Sequence, residues 1–175
     1  MIMNKKPCVF LDRDGVLNEE IGRHVVKPDE FVIKPGVPEG LKRLKSAGFL
    51  LVVITNQSGI ARGYYDEDFV WHCYEQIQQA SGGLLDGQYF APGLDKFSRS
   101  LMRKPDSLMF EKAIARFEVD ASESWMIGDK ERDLVPARKL GIRTIHLTQG
   151  EKSSYADEVF DDFQKSVDQI LKALD

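Results

Sequence analysis

Three short apolar runs, at 8–11 (CVFL), 49–54 (FLLVVI) and 124–127 (SWMI), most strongly constrain how this chain folds. They are nearly continuous in apolar residues, which is typical of strands that are covered on both faces. Two further strands are predicted at 88–91 and 143–147. Because helical patterns separate these strands, the sequence predicts an α/β fold with a mostly parallel sheet flanked by helices.

Helical patterns fill the intervals between the predicted strands and the end of the chain. Proline is favoured at the start of a helix and glycine just past its end, and such residues set most of the predicted boundaries. The predicted helices run from Pro38 to Gly48, from Asp66 to Gly82, over about 107–117, from after Asp133 to Gly141, and through a tail whose apolar stripe is Phe160, Phe163, Val167, Ile170, Leu171 and Leu174. The interval 15–36 lacks such a pattern and is predicted to form a small hairpin-like flap over the strand ends.

Size and composition predict one folded domain. The chain has 175 residues, 42% hydrophobic and 30% charged, so residues 1–175 are expected to form a single domain with one active site. The longest apolar run, at 48–55, is too short to cross a bilayer, and the N-terminus lacks the apolar core of a signal peptide. We therefore expect a cytoplasmic protein without a membrane partner. A net charge of -4 argues against a nucleic-acid-binding surface.

Three polar segments come directly after predicted strands, at 12–15 (DRDG), 55–59 (TNQSG) and 128–130 (GDK). Ligands of an open parallel sheet bind outside the carboxyl ends of its strands, so we expect these segments to meet in one crevice. Asp12 and Asp14 are two residues apart in an extended segment and therefore point the same way.

Asp12, Asp14 and Asp129 would concentrate negative charge in this crevice. Carboxylates this close are costly unless a shared proton or a hard cation neutralises them. Oxygen ligands favour Mg²⁺, which keeps coordination sites for water and substrate phosphate. The sequence therefore predicts a magnesium site.

Groups that bind anions accompany these carboxylates. Thr55 offers a hydroxyl, and the loop 56–63 can offer backbone N–H groups. Lys104 lies just before the helix predicted from 107, whose N-terminus also favours an anion. Anion donors beside a metal site indicate phosphoryl chemistry.

The segments DRDGVLN, TNQSGIARG, RKP and GDKERD resemble, in this order, the motifs of the haloacid-dehalogenase-type (HAD) phosphatases. Within that superfamily the chain is similar to the D-glycero-D-manno-heptose-1,7-bisphosphate 7-phosphatases and the related histidinol phosphatases. The resemblance covers residues 9–133 and implies a Rossmann-like HAD fold. No large cap domain is visible between the motifs.

The resemblance also implies roles for the motif residues. Asp12 is expected to attack phosphorus and form an aspartyl-phosphate, and Asp14 to protonate the leaving alcohol and then activate water. Mg²⁺ is expected to be held by the Asp12 carboxylate, the Asp14 main-chain carbonyl and Asp129. Thr55 and Lys104 complete the expected catalytic set. The residues expected to bind substrate are Asn56, Gln57, Ser58, Arg103 and Lys130.

The roles of three residues stay open. Asp133 either ligates the metal or a metal-bound water, or caps the following helix, because Pro136 lies three residues on. Arg23 adds charge near the expected substrate mouth, and His24 beside it lies in the predicted flap.

The chain departs from these families in the loop before RKP. Family members commonly hold zinc there through a Cys-x-His and a Cys-x-Cys pair. This chain has Ala91 and Gly93 at the first pair, and Ser100 and Met102 at the second. We therefore expect no zinc, and a loop that is ordered by packing or left mobile.

The sequence thus predicts a monomeric, Mg²⁺-dependent phosphomonoesterase for a small phosphorylated sugar, with a heptose 1,7-bisphosphate as the expected substrate. Histidinol phosphate or another sugar phosphate is the alternative within the same chemistry. A polynucleotide 3′-phosphatase is disfavoured because the sequence has no basic stripe. A non-catalytic phosphate-binding module is disfavoured because all the motif residues are present.

Overall fold

The structure, a computed structural model, describes residues 5–174 and has a six-stranded parallel sheet at its centre. The strands, in the spatial order β3-β2-β1-β4-β5-β6, are β1 (Cys8–Leu11), β2 (Leu50–Asn56), β3 (Gly87–Ala91), β4 (Trp125–Gly128), β5 (Arg143–Leu147) and β6 (Glu158–Phe160). The α-helices are α1 (Val37–Ser46), α2 (Glu67–Ser81), α3 (Leu108–Phe117), α4 (Glu131–Lys139) and α5 (Phe163–Lys172). The predicted α/β fold is confirmed.

Successive side chains of β1 enter two different cores, one on each face of the sheet. Val9 and Leu11 pack in a core with α1, α2 and α5, whereas Cys8 and Phe10 pack in a core with α3 and α4. All four side chains are fully buried. β1 is apolar along its whole length because neither face of the strand is exposed to water, as the sequence indicated.

The strand order places the ends of β1, β2 and β4 side by side. β1 lies between β2 and β4, and the chain moves outward through β2 and β3 before it returns to β4. Connections therefore leave β1 in opposite directions, which creates the crevice where α/β sheets bind ligands.

The end of the chain differs from the predicted continuous helix. Phe160 belongs to β6, and α5 begins only at Phe163 after an N-cap by Asp162, whose side chain accepts from the N–H of Lys165. The apolar spacing from Phe160 fits a helix, but its first member is paired with Leu147 of β5 in the sheet. The prediction was wrong at this boundary because an edge strand of three residues has no periodicity of its own.

The flap segment 15–36 packs on the core. Its apolar side chains Val16, Leu17, Val25 and Phe31 are buried, and its antiparallel pairing among the described residues is the single bridge between Asn18 and Ile33. The segment is therefore a compact cover over the strand ends, with less hairpin structure than predicted. Within residues 5–174, no helix is both long enough and apolar enough to span a membrane.

Gly40 allows α1 to approach α5 closely. A Cβ at this position would lie 2.6 Å from Cε1 and 3.0 Å from Cδ1 of Phe163. Alanine usually stabilises a helix interior by about 1 kcal/mol relative to glycine, whereas overpacking a buried contact costs about 1–3 kcal/mol. We predict that Gly40→Ala lowers the free energy of unfolding by about 1 kcal/mol in urea titrations. The exposed Lys42→Ala, on the same helix, should change it by less than about 0.5 kcal/mol. A more stable Gly40→Ala would contradict the prediction.

Candidate active site

The ends of β1, β2 and β4 bring the sequence-predicted carboxylates together. Asp12 directly follows β1, and its N–H donates to the carbonyl of Ile127 in β4 at 3.0 Å. Asp129 directly follows β4, and Asp133 lies in the first turn of α4. Asp12, Asp129 and Asp133 each have a carboxylate oxygen within 4.8 Å of the others.

Lys104 is a buried cation between two of these carboxylates. Its ammonium donates to Oδ1 of Asp12 at 2.9 Å and to the carbonyl of Ile54 at 2.7 Å, and it pairs with Oδ1 of Asp133 at 2.7 Å. Burial lowers the pKa of Lys104, but the two carboxylates outweigh this effect and raise the pKa above its ordinary value. The ammonium is therefore charged at neutral pH.

Asn56 fixes the backbone that carries this lysine. Its side-chain amide donates to the carbonyl of Lys104 at 3.0 Å, and its side-chain oxygen accepts from the N–H of Lys104 at 3.0 Å. β2 extends through Asn56, so Thr55 and Asn56 lie in the strand, whereas the sequence predicted that they follow it. The end of β2 therefore fixes the position of the RKP segment relative to the site.

Asp12 is short of positive charge despite its contact with Lys104. Its Oδ1 accepts from the Lys104 ammonium and from the N–H of Arg13 at 2.8 Å. Burial raises the pKa of Asp12 to about 6, helped by the nearby Asp133 and opposed by Lys104. A further cation would favour the ionised form of this carboxylate.

Asp129 has an oxygen that is available to a cation. Its Oδ1 is buried without a hydrogen-bond partner among the described residues, and its Oδ2 pairs with the ammonium of Lys130 at 3.1 Å. Burial and then Asp12 raise the pKa of Asp129. A Cβ on Gly15 would overlap with Oδ2 of Asp129, so glycine is required where this carboxylate meets the DRDG turn. The cluster of Asp12, Asp129 and Asp133 fits a hard divalent cation.

Asp133 caps a helix and also contacts the site. α4 begins at Glu131, ahead of Asp133, so the predicted helix start was wrong. The carboxylate of Asp133 reaches back, and its Oδ2 accepts from the N–H of Lys130 at 3.1 Å while its Oδ1 faces Lys104. This hydrogen bond gives the N–H of the N-cap residue Lys130 a partner, and it explains why the helix starts ahead of Asp133. Both alternatives raised by the sequence thus have a structural basis, because the residue caps α4 and belongs to the acidic cluster.

Asp14 is held by three side chains. It accepts hydrogen bonds from the Arg13 guanidinium at 2.9 Å, from the Asn18 amide at 3.0 Å and from the Gln57 amide at 2.9 Å. Burial raises the pKa of Asp14, but Arg13 and the hydrogen bonds outweigh it and place the pKa below its ordinary value. Arg13 is itself buried, with its guanidinium over the ring of Phe31.

A cavity of about 430 Å³ opens beside Asp14 and has a basic wall. Its lining includes the arginines Arg23, Arg62, Arg103 and Arg132, together with His24, Asn56, Gln57 and Ser58. Arg62 and Arg132 were not selected from the sequence, although they lie inside TNQSGIARG and GDKERD. The cavity therefore suits an anionic ligand that also reaches Asp14.

Three more of the residues singled out from the sequence, Arg103, Arg23 and His24, line this cavity. Arg103 donates to the carbonyl of Gly93 at 3.3 Å and lies 3.6 Å from Asp95. Arg23 is paired with Glu30 at 2.8 Å, so its charge near the mouth is already balanced. His24 lies 3.3 Å from the hydroxyl of Ser58 through Nε2. Lys130 is half-exposed and paired with Asp129, and it is not among the described residues that line the cavity.

Comparison with known proteins places this site in a family. A HAD-hydrolase-like family model matches residues 101–173. A D-glycero-beta-D-manno-heptose-1,7-bisphosphate 7-phosphatase from Haemophilus ducreyi is 38% identical, over 97% of this chain and 94% of the relative. The chain belongs to the heptose-bisphosphate phosphatase family of the HAD-like phosphatases. It is therefore a phosphoric monoester hydrolase, as the sequence motifs predicted.

Further relatives agree on the family and differ in the anomer that they are named for. A Burkholderia mallei relative named D-glycero-alpha-D-manno-heptose-1,7-bisphosphate 7-phosphatase is 36% identical, over 82% of this chain and 80% of the relative. The crystal structure of the D,D-heptose 1,7-bisphosphate phosphatase from B. bronchiseptica, complexed with magnesium and phosphate, superposes with a TM-score of 0.85 at 29% identity. That match covers 95% of this chain and 99% of the neighbour.

The acidic cluster makes a prediction about cation binding that does not depend on activity. We expect Mg²⁺ to raise the thermal unfolding midpoint, because a ligand at about 100 times its Kd stabilises the folded state by about 2.7 kcal/mol. Asp129→Asn should remove most of this shift, measured by differential scanning calorimetry. The exposed Asp168→Asn, which lies in α5, should keep it. An unchanged shift in Asp129→Asn would show that the cation binds elsewhere.

Proposed function

We propose that this phosphatase removes the 7-phosphate of D-glycero-D-manno-heptose 1,7-bisphosphate through an aspartyl-phosphate on Asp12. The observation that supports the chemistry is the meeting of Asp12 and Lys104 at the sheet edge, with Asp14 beside a basic cavity. The names of its relatives support the substrate.

Asp12 is proposed as the nucleophile. Its Oδ1 is occupied by Lys104 and the N–H of Arg13, so Oδ2 is the oxygen proposed to attack phosphorus. A P–O bond to Asp12 forms while the P–O bond to the sugar oxygen breaks, and the difficult hydrolysis is divided into two steps. The second step is attack of water on the aspartyl-phosphate, which releases inorganic phosphate and restores the carboxylate.

Asp14 is proposed to transfer the protons in both steps. It gives a proton to the leaving sugar oxygen and then accepts one from the attacking water. In the free enzyme, Arg13 and its other donors keep the pKa of Asp14 low. The negative charge of an arriving phosphate disfavours the carboxylate form, so substrate binding itself raises the pKa toward the value that an acid needs.

Three further groups are proposed to stabilise the transferring phosphoryl group. Thr55 and Asn56 would hold its oxygens, and Lys104 would offset the charge shared by Asp12 and the phosphate. We propose that Asp12, the Asp14 carbonyl and Asp129 hold Mg²⁺. Its positive charge would reduce the repulsion between the Asp12 carboxylate and the substrate phosphate. The buried, unpartnered Oδ1 of Asp129 supports this assignment.

The proposed substrate has a second phosphate, and the cavity offers cations for it. Arg103 and Ser58, which line the cavity, and Lys130, which lies beside Asp129, are proposed to contact the substrate. A bisphosphate would use more than one of these basic groups. We also propose that the enzyme works as a cytoplasmic monomer on this small substrate, with no nucleic-acid partner. Zinc is not part of the proposal, because residues 92–103 contain neither cysteine nor histidine.

Asp12→Asn tests the nucleophile. Asparagine has the same shape but its amide is a poor nucleophile, so turnover of heptose 1,7-bisphosphate should be abolished while the fold persists. Phosphate release and circular dichroism would be measured on the same preparation. Substantial turnover by the folded variant would refute the assignment of Asp12.

Substrate preference is tested by phosphate release from heptose 1,7-bisphosphate and from histidinol phosphate, each with Mg²⁺ and with chelator. We expect a higher kcat/KM for the bisphosphate, by about 100-fold or more if one additional ion pair is made in the transition state. Both anomers are included because the relatives differ in this respect. Equal and weak Mg²⁺-dependent turnover of all three compounds would keep the chemistry and refute the heptose assignment.

A further inference from the structure

The side-chain amide of Gln57 is fully engaged inside the site. Its Nε2 donates to Oδ2 of Asp14 at 2.9 Å and to Oγ1 of Thr55 at 2.9 Å, and its Oε1 accepts from the hydroxyl of Tyr65 at 2.7 Å. Gln57 is 1% exposed. Both N–H groups and the oxygen thus have partners inside the protein, which leaves little for a substrate.

Tyr65 determines which way this amide faces. An amide rotated by half a turn would present oxygen to the Asp14 carboxylate, and two acceptors would face each other. The hydroxyl of Tyr65 donates to Oε1 and so favours the orientation in which the NH₂ group faces Asp14. Gly59 makes room for this tyrosine, because a Cβ on Gly59 would overlap with the Tyr65 ring.

The Gln57 amide contacts Asp14, which is proposed to transfer the proton, and Thr55, which is proposed to bind the phosphoryl group. Because the oxygen of Thr55 accepts from Gln57, its own O–H remains free to donate to a phosphoryl oxygen. The Asp14 carboxylate receives Gln57 on Oδ2, the oxygen that Arg13 also contacts at 2.9 Å. Rotation of Asp14 therefore requires that the bond to Gln57 break.

We propose that Gln57 and Tyr65 are positioning residues that orient Asp14 for proton transfer to the leaving group, with Tyr65 acting through Gln57. This inference rests on the proposed function of Asp14 and replaces the substrate-binding role that the sequence suggested for Gln57. Gln57 acts on the reaction only through Asp14 and Thr55, and Tyr65 only through Gln57.

The test compares leaving groups that differ in their need for a proton. p-Nitrophenyl phosphate releases a weakly basic phenolate, whereas phenyl phosphate and heptose 1,7-bisphosphate release stronger bases that need an acid. General acid catalysis contributes about 10²–10⁴-fold where it is needed, and one hydrogen bond accounts for a part of this. Tyr65→Phe should lower kcat/KM about tenfold for phenyl phosphate and the bisphosphate, and about twofold for p-nitrophenyl phosphate. kcat/KM is used because it reports the first phosphoryl transfer only.

A double-mutant cycle tests whether Tyr65 acts through Gln57. Gln57→Leu removes all three hydrogen bonds at similar volume, and we expect a loss of about 100-fold on phenyl phosphate. Adding Tyr65→Phe to Gln57→Leu should cause no further loss, because the residues would no longer be linked. The matched control is Tyr64→Phe, at the neighbouring, largely exposed tyrosine, which should match the wild type on all three compounds.

Two results would overturn the inference. Equal losses on all three compounds in Tyr65→Phe would indicate a structural role alone, and additive losses in the double variant would show that Tyr65 does not act through Gln57. Failure of the wild type on the bisphosphate alone would refute the substrate proposal, while the aryl phosphates would still test the positioning role.

Discussion

The site depends on one buried ion-pair network, in which Lys104 joins Asp12 to Asp133. The lysine lies 92 residues from Asp12 in sequence, and its ammonium also bonds to the carbonyl of Ile54 in β2. The Lys104 ammonium therefore connects three elements, namely the end of β1, strand β2 and the first turn of α4. Loss of one partner from a buried pair leaves an uncompensated charge at a cost of about 3–5 kcal/mol. The same contacts that hold these elements together orient the Asp12 carboxylate, the proposed nucleophile.

The network leaves a surplus of negative charge, which is the condition for cation binding. The site holds four carboxylates and two buried cations, namely Asp12, Asp14, Asp129 and Asp133 with Arg13 and Lys104. Their formal sum is two negative charges. Burial is the main cause of the raised pKa values of Asp12 and Asp129, and a neighbouring carboxylate adds to the shift in each case. A divalent cation would offset the surplus and favour the approach of a phosphate.

Much of the fold and part of the site were accessible from sequence. β1 was predictable because both faces of it are buried, and Asp12 followed from the rule that ligands bind at strand ends. β6 was missed because three edge residues give no pattern. Tyr65 was missed for a different reason: its role depends on a side-chain contact eight residues away, across a loop. The spacing of apolar residues indicates which face of a helix or strand is buried. It does not indicate that the Tyr65 hydroxyl donates to the Gln57 amide.

The loop 92–103 contains neither cysteine nor histidine, so protein contacts alone hold it among the described residues. Its base is fixed by the two hydrogen bonds between Asn56 and Lys104 and by the bond from Arg103 to the carbonyl of Gly93. Its tip exposes Phe97 and Leu101 by 66% and 62%. These two apolar side chains therefore make little packing contact with the rest of the protein. The base of the loop lies next to the site and is held by these hydrogen bonds. Substrate specificity should therefore come from the loop base and the arginine-lined cavity, with little contribution from the exposed side chains.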